Sequence, residues 1–242
     1  ITLVGSHPNY KTAVEFSINN SDVVTTVSES LKNDTNRLFN ITKDIKVIHN
    51  FIDFEKYTEI TSEECQRDTI AYENERIITH ISNLRPVKRA SDVISIFYKI
   101  QKEIPSKLLL VGEGPERENI ELLAKELGIL EKILFLGNSN EVNKLLCYSD
   151  LFLLPSETES FGLAALEAMA ARTPVISSNS GGLPEVNIQG VTGFLSNVGD
   201  TDEMAKNGIY ILKDLDRLQQ FKSNALTQAK QFSLKNVLPS YK

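Results

Sequence analysis

From residue 77 onward, short and almost wholly apolar runs alternate with segments whose apolar positions recur at helical spacing. The runs "IITHIS" (77–82), "KLLLVG" (107–112), "KILFLG" (132–137), "DLFLLP" (150–155), "PVISS" (174–178) and "GFLS" (193–196) read as strands. Strands apolar on both faces need cover on both, as in parallel sheets. Between them, "SDVISIFYKIQKEI" (91–104) and "PERENIELLAKELG" (115–128) read as amphipathic helices, the second bounded by Pro115 and Gly128. This alternation predicts an α/β fold, a Rossmann-like, doubly wound parallel sheet with right-handed crossovers.

The first fifty residues have a different rhythm: helical "YKTAVEFSINNS", strand "DVVTTV" (22–27), a Ser-capped helix from Ser28 to about Phe39, and strand "IKVIHN" (45–50). One strand-helix-strand unit cannot bury its own faces. Residues 1–50 are therefore expected to be the C-terminal remnant of a preceding α/β domain. Residues 51–75 are expected to form a linker, polar and irregular over 51–69, and 76–242 the Rossmann-like domain. The chain opens at Ile1, without Met or a signal-peptide pattern, and is read as a piece of a longer product.

Composition changes this picture little. Hydrophobic residues make up 41% and charged residues 24%, as in ordinary globular proteins. A net charge of −6 argues against general nucleic-acid binding. No apolar run approaches the ~20 residues of a membrane span. Cys65 and Cys147 are too few for a disulfide framework or a thiolate metal site, and are expected to stay reduced in a cytosolic protein.

The candidate chemistry lies just beyond the carboxyl ends of the strands, where open α/β sheets bind ligands. The successive loops there are "NLRPVKR", "GEGPER", "GNSNE", "SETESFG" and "SNSGGLPE". Helix termini on that edge present backbone N–H groups, and Arg85 and Lys88 add positive charge, which together suit a diphosphate. Glu167 is the one charged residue between Ser160 and Ala171, on an otherwise apolar helix. A carboxylate in such a place needs a partner, and the vicinal diol of a ribose offers two hydroxyl donors to its two oxygens. Glu159, eight positions earlier, can reach another part of the same ligand, and the turn between presents the N–H groups of Phe161, Gly162 and Leu163.

The E-x7-E motif in "ESFGLAALE", with "GEGPER" before it and "GGLPEVNIQGVTGFL" after it, resembles the nucleotide-binding half of retaining group 1 glycosyltransferases of the GT-B fold. The resemblance covers about residues 77–197 at the level of motifs and the rest more loosely, and it implies that 76–242 is the nucleotide-sugar-binding domain and 1–50 the remnant of the acceptor-side domain. It implies that Glu159 contacts donor-sugar hydroxyls and that Arg85 and Lys88 hold the diphosphate and stabilise it as leaving group. Glu167 would bind the ribose diol, assisted by Ser160, Phe161, Gly162, Leu163 and Gly112, with the loop Gly137–Glu141 near the base. In the common pattern an Arg stands five residues before the Lys; here Asn83 holds that place and Arg85 lies three before. "RPVKR", "SDVVTTVSESL" and "HNFID" are most similar to the synthases that transfer N-acetylglucosamine from UDP to L-malate in bacillithiol synthesis. The implied enzyme is a cytoplasmic hexosyltransferase with a UDP-sugar donor, a small-molecule acceptor, no metal or other cofactor, and no membrane partner. A homodimer is compatible with it. Alternatives are a same-family transferase acting on a lipid or polysaccharide acceptor, a sugar-nucleotide epimerase, and a binding module without activity.

Other motifs have plainer readings. "GEGPER" is no dinucleotide fingerprint, because Arg117 stands where the third Gly would be. "DTD" (200–202) and "DLD" (214–216) have metal-site spacing but fall at expected helix starts, where Asp caps. Arg89 suits a solvated surface cluster, His80 a packed strand position, and Cys147 burial in a helix. Glu185 is read as bracing the sugar-side loop, and His7 as lying outside the nucleotide domain.

Overall fold

The computed structural model describes residues 5, 7–61, 64–65 and 67–241. The first part carries α1 (Pro8–Asn19), β1 (Val24–Thr26), α2 (Glu29–Leu38) and β2 (Ile45–Val47). β1 and β2 pair in parallel as a sheet of their own. As expected, Ser28 caps α2, its hydroxyl accepting from the Leu31 N–H at 3.1 Å.

The larger part holds β3 (Arg76–Ile81), α4 (Ala90–Gln101), β4 (Ser106–Val111), α5 (Arg117–Glu126), β5 (Ile133–Gly137), α6 (Val142–Cys147) and β6 (Leu151–Leu154). It continues through α7 (Leu163–Ala170), β7 (Val175–Ser178), α8 (Leu183–Val186), β8 (Gly193–Ser196), α9 (Thr201–Leu212), α10 (Leu215–Gln231) and α11 (Leu234–Val237). Its strands form one parallel sheet in the order β5-β4-β3-β6-β7-β8. The α/β expectation holds, and strand placements agree with it to within about two residues at each end.

Burial explains why these strands read as unbroken apolar runs. Along β6, Leu151 and Leu153 enter a core shared with α4, α5 and α9, while Phe152 and Leu154 enter another shared with α7 and α10. Successive side chains point to opposite faces, so a strand covered on both sides is apolar at every position. Asp200 and Asp214 are capping residues, accepting from the N–H groups of Glu203 and Arg217.

The reading of 51–69 as irregular needs correction. The chain forms α3 (Glu55–Thr58) with Tyr57 buried, and a 3-10 turn at Arg67–Thr69; residues 62, 63 and 66 lie outside the described residues. The segment is pinned at both ends. The Ile52 N–H donates to the Phe232 carbonyl at 3.1 Å, and the Ile52 carbonyl accepts from Leu234 at 3.2 Å. At its other end Arg67 pairs with the buried Asp150 at 3.0 Å, which also binds Lys222 at 2.9 Å and accepts from the Ile77 N–H. Burial alone would raise the Asp150 pKa, but Lys222, Arg67 and this N–H outweigh it and hold the carboxyl below its ordinary value.

The cysteines are also not as expected. Cys65 and Cys147 form a disulfide between this segment and α6, because the segment folds back and brings the two Cα atoms to 6.0 Å. Cys147 is half-buried. The bridge closes a loop of 82 residues, so reduction or Cys65→Ser is expected to cost about 2–4 kcal/mol of stability in denaturant unfolding. Identical midpoints with and without reductant would show that the bridge contributes nothing.

Candidate active site

The sheet diverges at β3, which pairs with β4 on one side and β6 on the other. Connections leave these strands toward opposite edges, so a crevice opens between the loops that follow β3 and β6. Those loops carry Lys88 and Glu159. Lys88 Nζ and Glu159 Oε1 lie 2.6 Å apart, with both side chains largely shielded, and the Ser156 hydroxyl donates to the same Glu159 oxygen at 2.9 Å. Two residues 71 apart in sequence thus form a charge pair at the divergence of the sheet.

Beside this pair is an open cavity of about 620 Å³, whose wall includes Ser82, Lys88, Gly112, Asn138, Asn140, Leu163 and Glu167. Four positions singled out in the sequence therefore meet there: Lys88, Gly112, Leu163 and Glu167. The loop after β5 also reaches it through Asn138, Ser139 and Asn140. A cavity of about 630 Å³ between β8, α9 and α10, lined by Phe194, Tyr210 and Phe221, shares no residue with the strand-end loops. Topology and convergent charge favour the first.

The cavity is shaped by backbone close approach. Gly112 has φ +121°, and a Cβ there would sit 1.8 Å from the Ser82 carbonyl oxygen. Gly181 (φ +58°) passes so close to the Glu159 carbonyl that a Cβ would come within 1.9 Å. Any side chain at either place would push the loop after β3 or β6 out of position.

The other expected site residues are placed differently. Arg85 is exposed on its loop and is not part of the cavity wall. Arg89 is tied to Asp92 at 2.6 Å. Ser160 is exposed, and its carbonyl accepts from the Ser28 hydroxyl at 2.6 Å. Phe161 is buried against the rings of His49 and Phe232, and Gly162 is the N-cap of α7. None of these three lines the cavity. Their contribution to the wall is the backbone turn that sets Leu163 and Glu167 in place.

Glu167 is half-buried on α7, with Tyr57 and Lys56 of α3 as its electrostatic neighbours. Burial raises its pKa, only partly opposed by Tyr57 and by the charge of Lys56. His80 is fully buried: Nδ1 donates to the Leu153 carbonyl at 2.8 Å, and Nε2 lies 2.8 Å from the Ser82 hydroxyl. Burial, with a contribution from Lys88, lowers its pKa to about 4, so it is neutral at pH 7 and locks β3 to β6.

The places of Tyr57, Glu185 and His7 had no signal in the sequence. Tyr57 comes from a segment without periodicity. Glu185 does not brace its own loop; it reaches α2, accepting from the Glu29 and Ser30 N–H groups at 3.0 Å each, and pairs with His49 at 3.2 Å. With the Ser28–Ser160 bond, these contacts dock the first part of the chain against the turn that holds Glu159. His7 caps α1, accepting from the Asn9 N–H. Among the described residues no group of three or more His, Cys, Asp and Glu side chains is arranged to hold a metal ion, and no helix is long and apolar enough to cross a membrane.

Sequence and fold both relate the chain to known proteins. Residues 61–228 match the family model described as glycosyl transferases group 1. The chain is 48% identical over 214 residues to the N-acetyl-alpha-D-glucosaminyl L-malate synthase of Bacillus anthracis, covering 88% of this chain and 56% of that protein. It is 34% identical to an uncharacterized glycosyltransferase of Methanocaldococcus jannaschii, covering 84% and 54%. The chain thus spans little more than half the length of these curated relatives. The fold superposes on Anabaena Alr3699/HepE in complex with UDP and glucose with a TM-score of 0.88, at 24% identity, over 96% of this chain and 65% of that one. The GT-B architecture expected from the motifs is present, and the chain belongs to the group 1 glycosyl transferases.

Proposed function

We propose that this chain is the donor-binding part of a retaining glycosyltransferase that moves N-acetylglucosamine from UDP to a small acceptor, L-malate, in the cytoplasm. The observation that carries the reading is the Lys88–Glu159 ion pair beside a cavity that also holds Glu167. A nucleotide-sugar has three parts to be held, and the cavity offers a matching group for each. Glu167 accepts from the two ribose hydroxyls with its two carboxylate oxygens. Lys88 turns from Glu159 to the diphosphate, aided by the N-terminus of α7. Glu159, still bound by Ser156, then accepts from hydroxyls of the sugar. Arg85, exposed at the mouth, reaches the diphosphate only after its side chain swings inward.

Chemistry then needs no protein nucleophile. The acceptor hydroxyl attacks the anomeric carbon from the face that UDP leaves, the carbon–oxygen bond to the diphosphate breaks, and the acceptor proton passes to the departing phosphate. The protein's share is positioning and electrostatic stabilisation of the leaving group, and the reading gives no role to a metal. The donor sugar and the acceptor are supported by the likeness to the Bacillus anthracis synthase. Because the chain spans about half of that relative, the reading includes nucleotide binding with poor turnover by this chain alone.

Calorimetric titration tests the site. Glu167→Ala is expected to weaken both UDP and uridine by ~1–3 kcal/mol, the loss of a charge-assisted hydrogen bond. Lys88→Ala is expected to weaken UDP and leave uridine unchanged, since it acts on phosphate. Equal affinities for UDP in all three proteins would remove the nucleotide-site reading.

The pH dependence has a definite sign. The ionised Glu167 binds the diol, and burial raises its pKa above the ordinary value of 4.5. UDP affinity should therefore fall on acidification, beginning at a higher pH than an exposed glutamate would give. Affinity that stays flat until below pH 4.5 contradicts the role of this carboxylate.

A further inference from the structure

Glu185 lies outside the cavity wall, yet two separate pieces of the first part of the chain converge on it. Its side chain leaves the short helix α8, which follows β7, and crosses to the start of α2. Oε2 accepts from the Glu29 N–H and Oε1 from the Ser30 N–H, both at 3.0 Å, and Nε2 of His49 lies 3.2 Å from Oε2. Both N–H groups belong to the first turn of α2, where backbone donors have no partner within the helix. The next donor, the Leu31 N–H, goes to the Ser28 hydroxyl, which itself donates to the Ser160 carbonyl at 2.6 Å. Ser28 is fully buried. The start of α2 is thus capped twice, by its own serine and by a carboxylate from beyond β7.

The backbone around Glu185 is tied in turn to the loop that carries Glu159. The Gly182 N–H donates to the Glu159 carbonyl at 2.8 Å, and the Ser180 hydroxyl to the Glu157 carbonyl at 2.7 Å. A Cβ on Gly182 would come within 2.5 Å of the Ser160 carbonyl oxygen, so the two loops meet backbone to backbone. Residues 157–160 are therefore clamped from two sides, by 180–182 and by Ser28, and Glu185 joins the two sides of the clamp. A loop held in this way has lost freedom that a ligand would otherwise have to restrict. We propose that Glu185 is a positioning residue for donor-sugar recognition, fixing α2 against the loop after β7 and so holding the Glu159 carboxylate where sugar hydroxyls reach it. The proposal rests on the nucleotide-site reading above and adds to it a residue outside the cavity.

The clamp acts at one end of the site, which makes this role separable from stability. Glu159 stands on the clamped loop, whereas Glu167 stands on α7 and Lys88 on the loop after β3. Loosening the clamp therefore reduces the affinity that a sugar adds to UDP and leaves the affinity for UDP itself nearly unchanged. A residue that served stability alone would change both ligands alike or neither. The charge contributes as well, because a carboxylate at a helix N-terminus meets the positive end of the helix dipole. An amide in its place keeps an acceptor oxygen and loses the charge, so Gln is a partial replacement.

The experiment is calorimetric titration with UDP and with UDP-N-acetylglucosamine. The proteins are the wild type, Glu185→Ala, Glu185→Gln, Ser28→Ala, Glu159→Ala and the double variant of Glu159→Ala with Glu185→Ala. Glu185→Ala is expected to bind UDP within about twofold of the wild type and UDP-N-acetylglucosamine about tenfold more weakly. Ser28→Ala opens the clamp from its other side and should show the same selective loss, so the test survives if one variant fails to fold. Glu185→Gln should fall between the wild type and Glu185→Ala. In the Glu159→Ala background, Glu185→Ala should cost nothing more, because it acts through that carboxylate. Equal loss for both ligands, unchanged affinity for UDP-N-acetylglucosamine, or full additivity with Glu159→Ala would each overturn the proposal and leave the nucleotide site standing. A wild type that binds the two ligands equally removes the sugar role of Glu159, and this inference with it. A wild type that ignores UDP overturns the nucleotide-site reading itself.

Discussion

Strand β3 is hydrogen-bonded to β4 on one side and β6 on the other, and the site depends on that arrangement. The chain that leaves β3 and the chain that leaves β6 must turn toward opposite edges of the sheet, so their first few residues cannot pack on each other completely. What fills the interval is polar: Lys88 from one loop, Glu159 from the other, joined at 2.6 Å. An ion pair between largely shielded side chains is a weak source of stability, since desolvation offsets most of its attraction. On the proposed reading its value is that a diphosphate replaces Glu159 as the partner of Lys88 without leaving either group unpaired, once sugar hydroxyls reach the carboxylate.

The neighbouring groups sort by their distance from that interval. His80, neutral and buried, closes β3 onto β6 just below it. Gly112 and Gly181 let backbones pass where a side chain would collide. Glu185 and Ser28 join the first part of the chain to the loop that carries Glu159. The geometry of the site is therefore set partly by residues before β3.

Much of this was legible in the sequence. Strands covered on both faces leave long apolar runs, so the sheet and the positions of its carboxyl ends followed from pattern alone. A lone glutamate on an apolar helix flagged Glu167, Glu159 stands eight residues before it, and the basic cluster after β3 flagged Lys88. The less legible features are those made by contacts between distant segments. Residues 51–69 are polar because most of them face solvent, which hides the single buried phenol of Tyr57 and the pairing of Cys65 with Cys147. Phe161 reads as a loop residue but belongs to an aromatic cluster with His49 and Phe232. Arg85 illustrates the reverse: its charge and position in the motif suggest a site residue, while its side chain stands in solvent beside the cavity.

The central claim is that the crevice at β3 and β6 exchanges an internal ion pair for a nucleotide diphosphate. A crystal structure of this chain grown with UDP tests it most directly. The account predicts both ribose hydroxyls on the Glu167 carboxylate, the diphosphate on Lys88, and Lys88 turned away from Glu159. UDP seated in the cavity beside Phe194 and Tyr210, or bound in the crevice with the Lys88–Glu159 pair still closed, would contradict it.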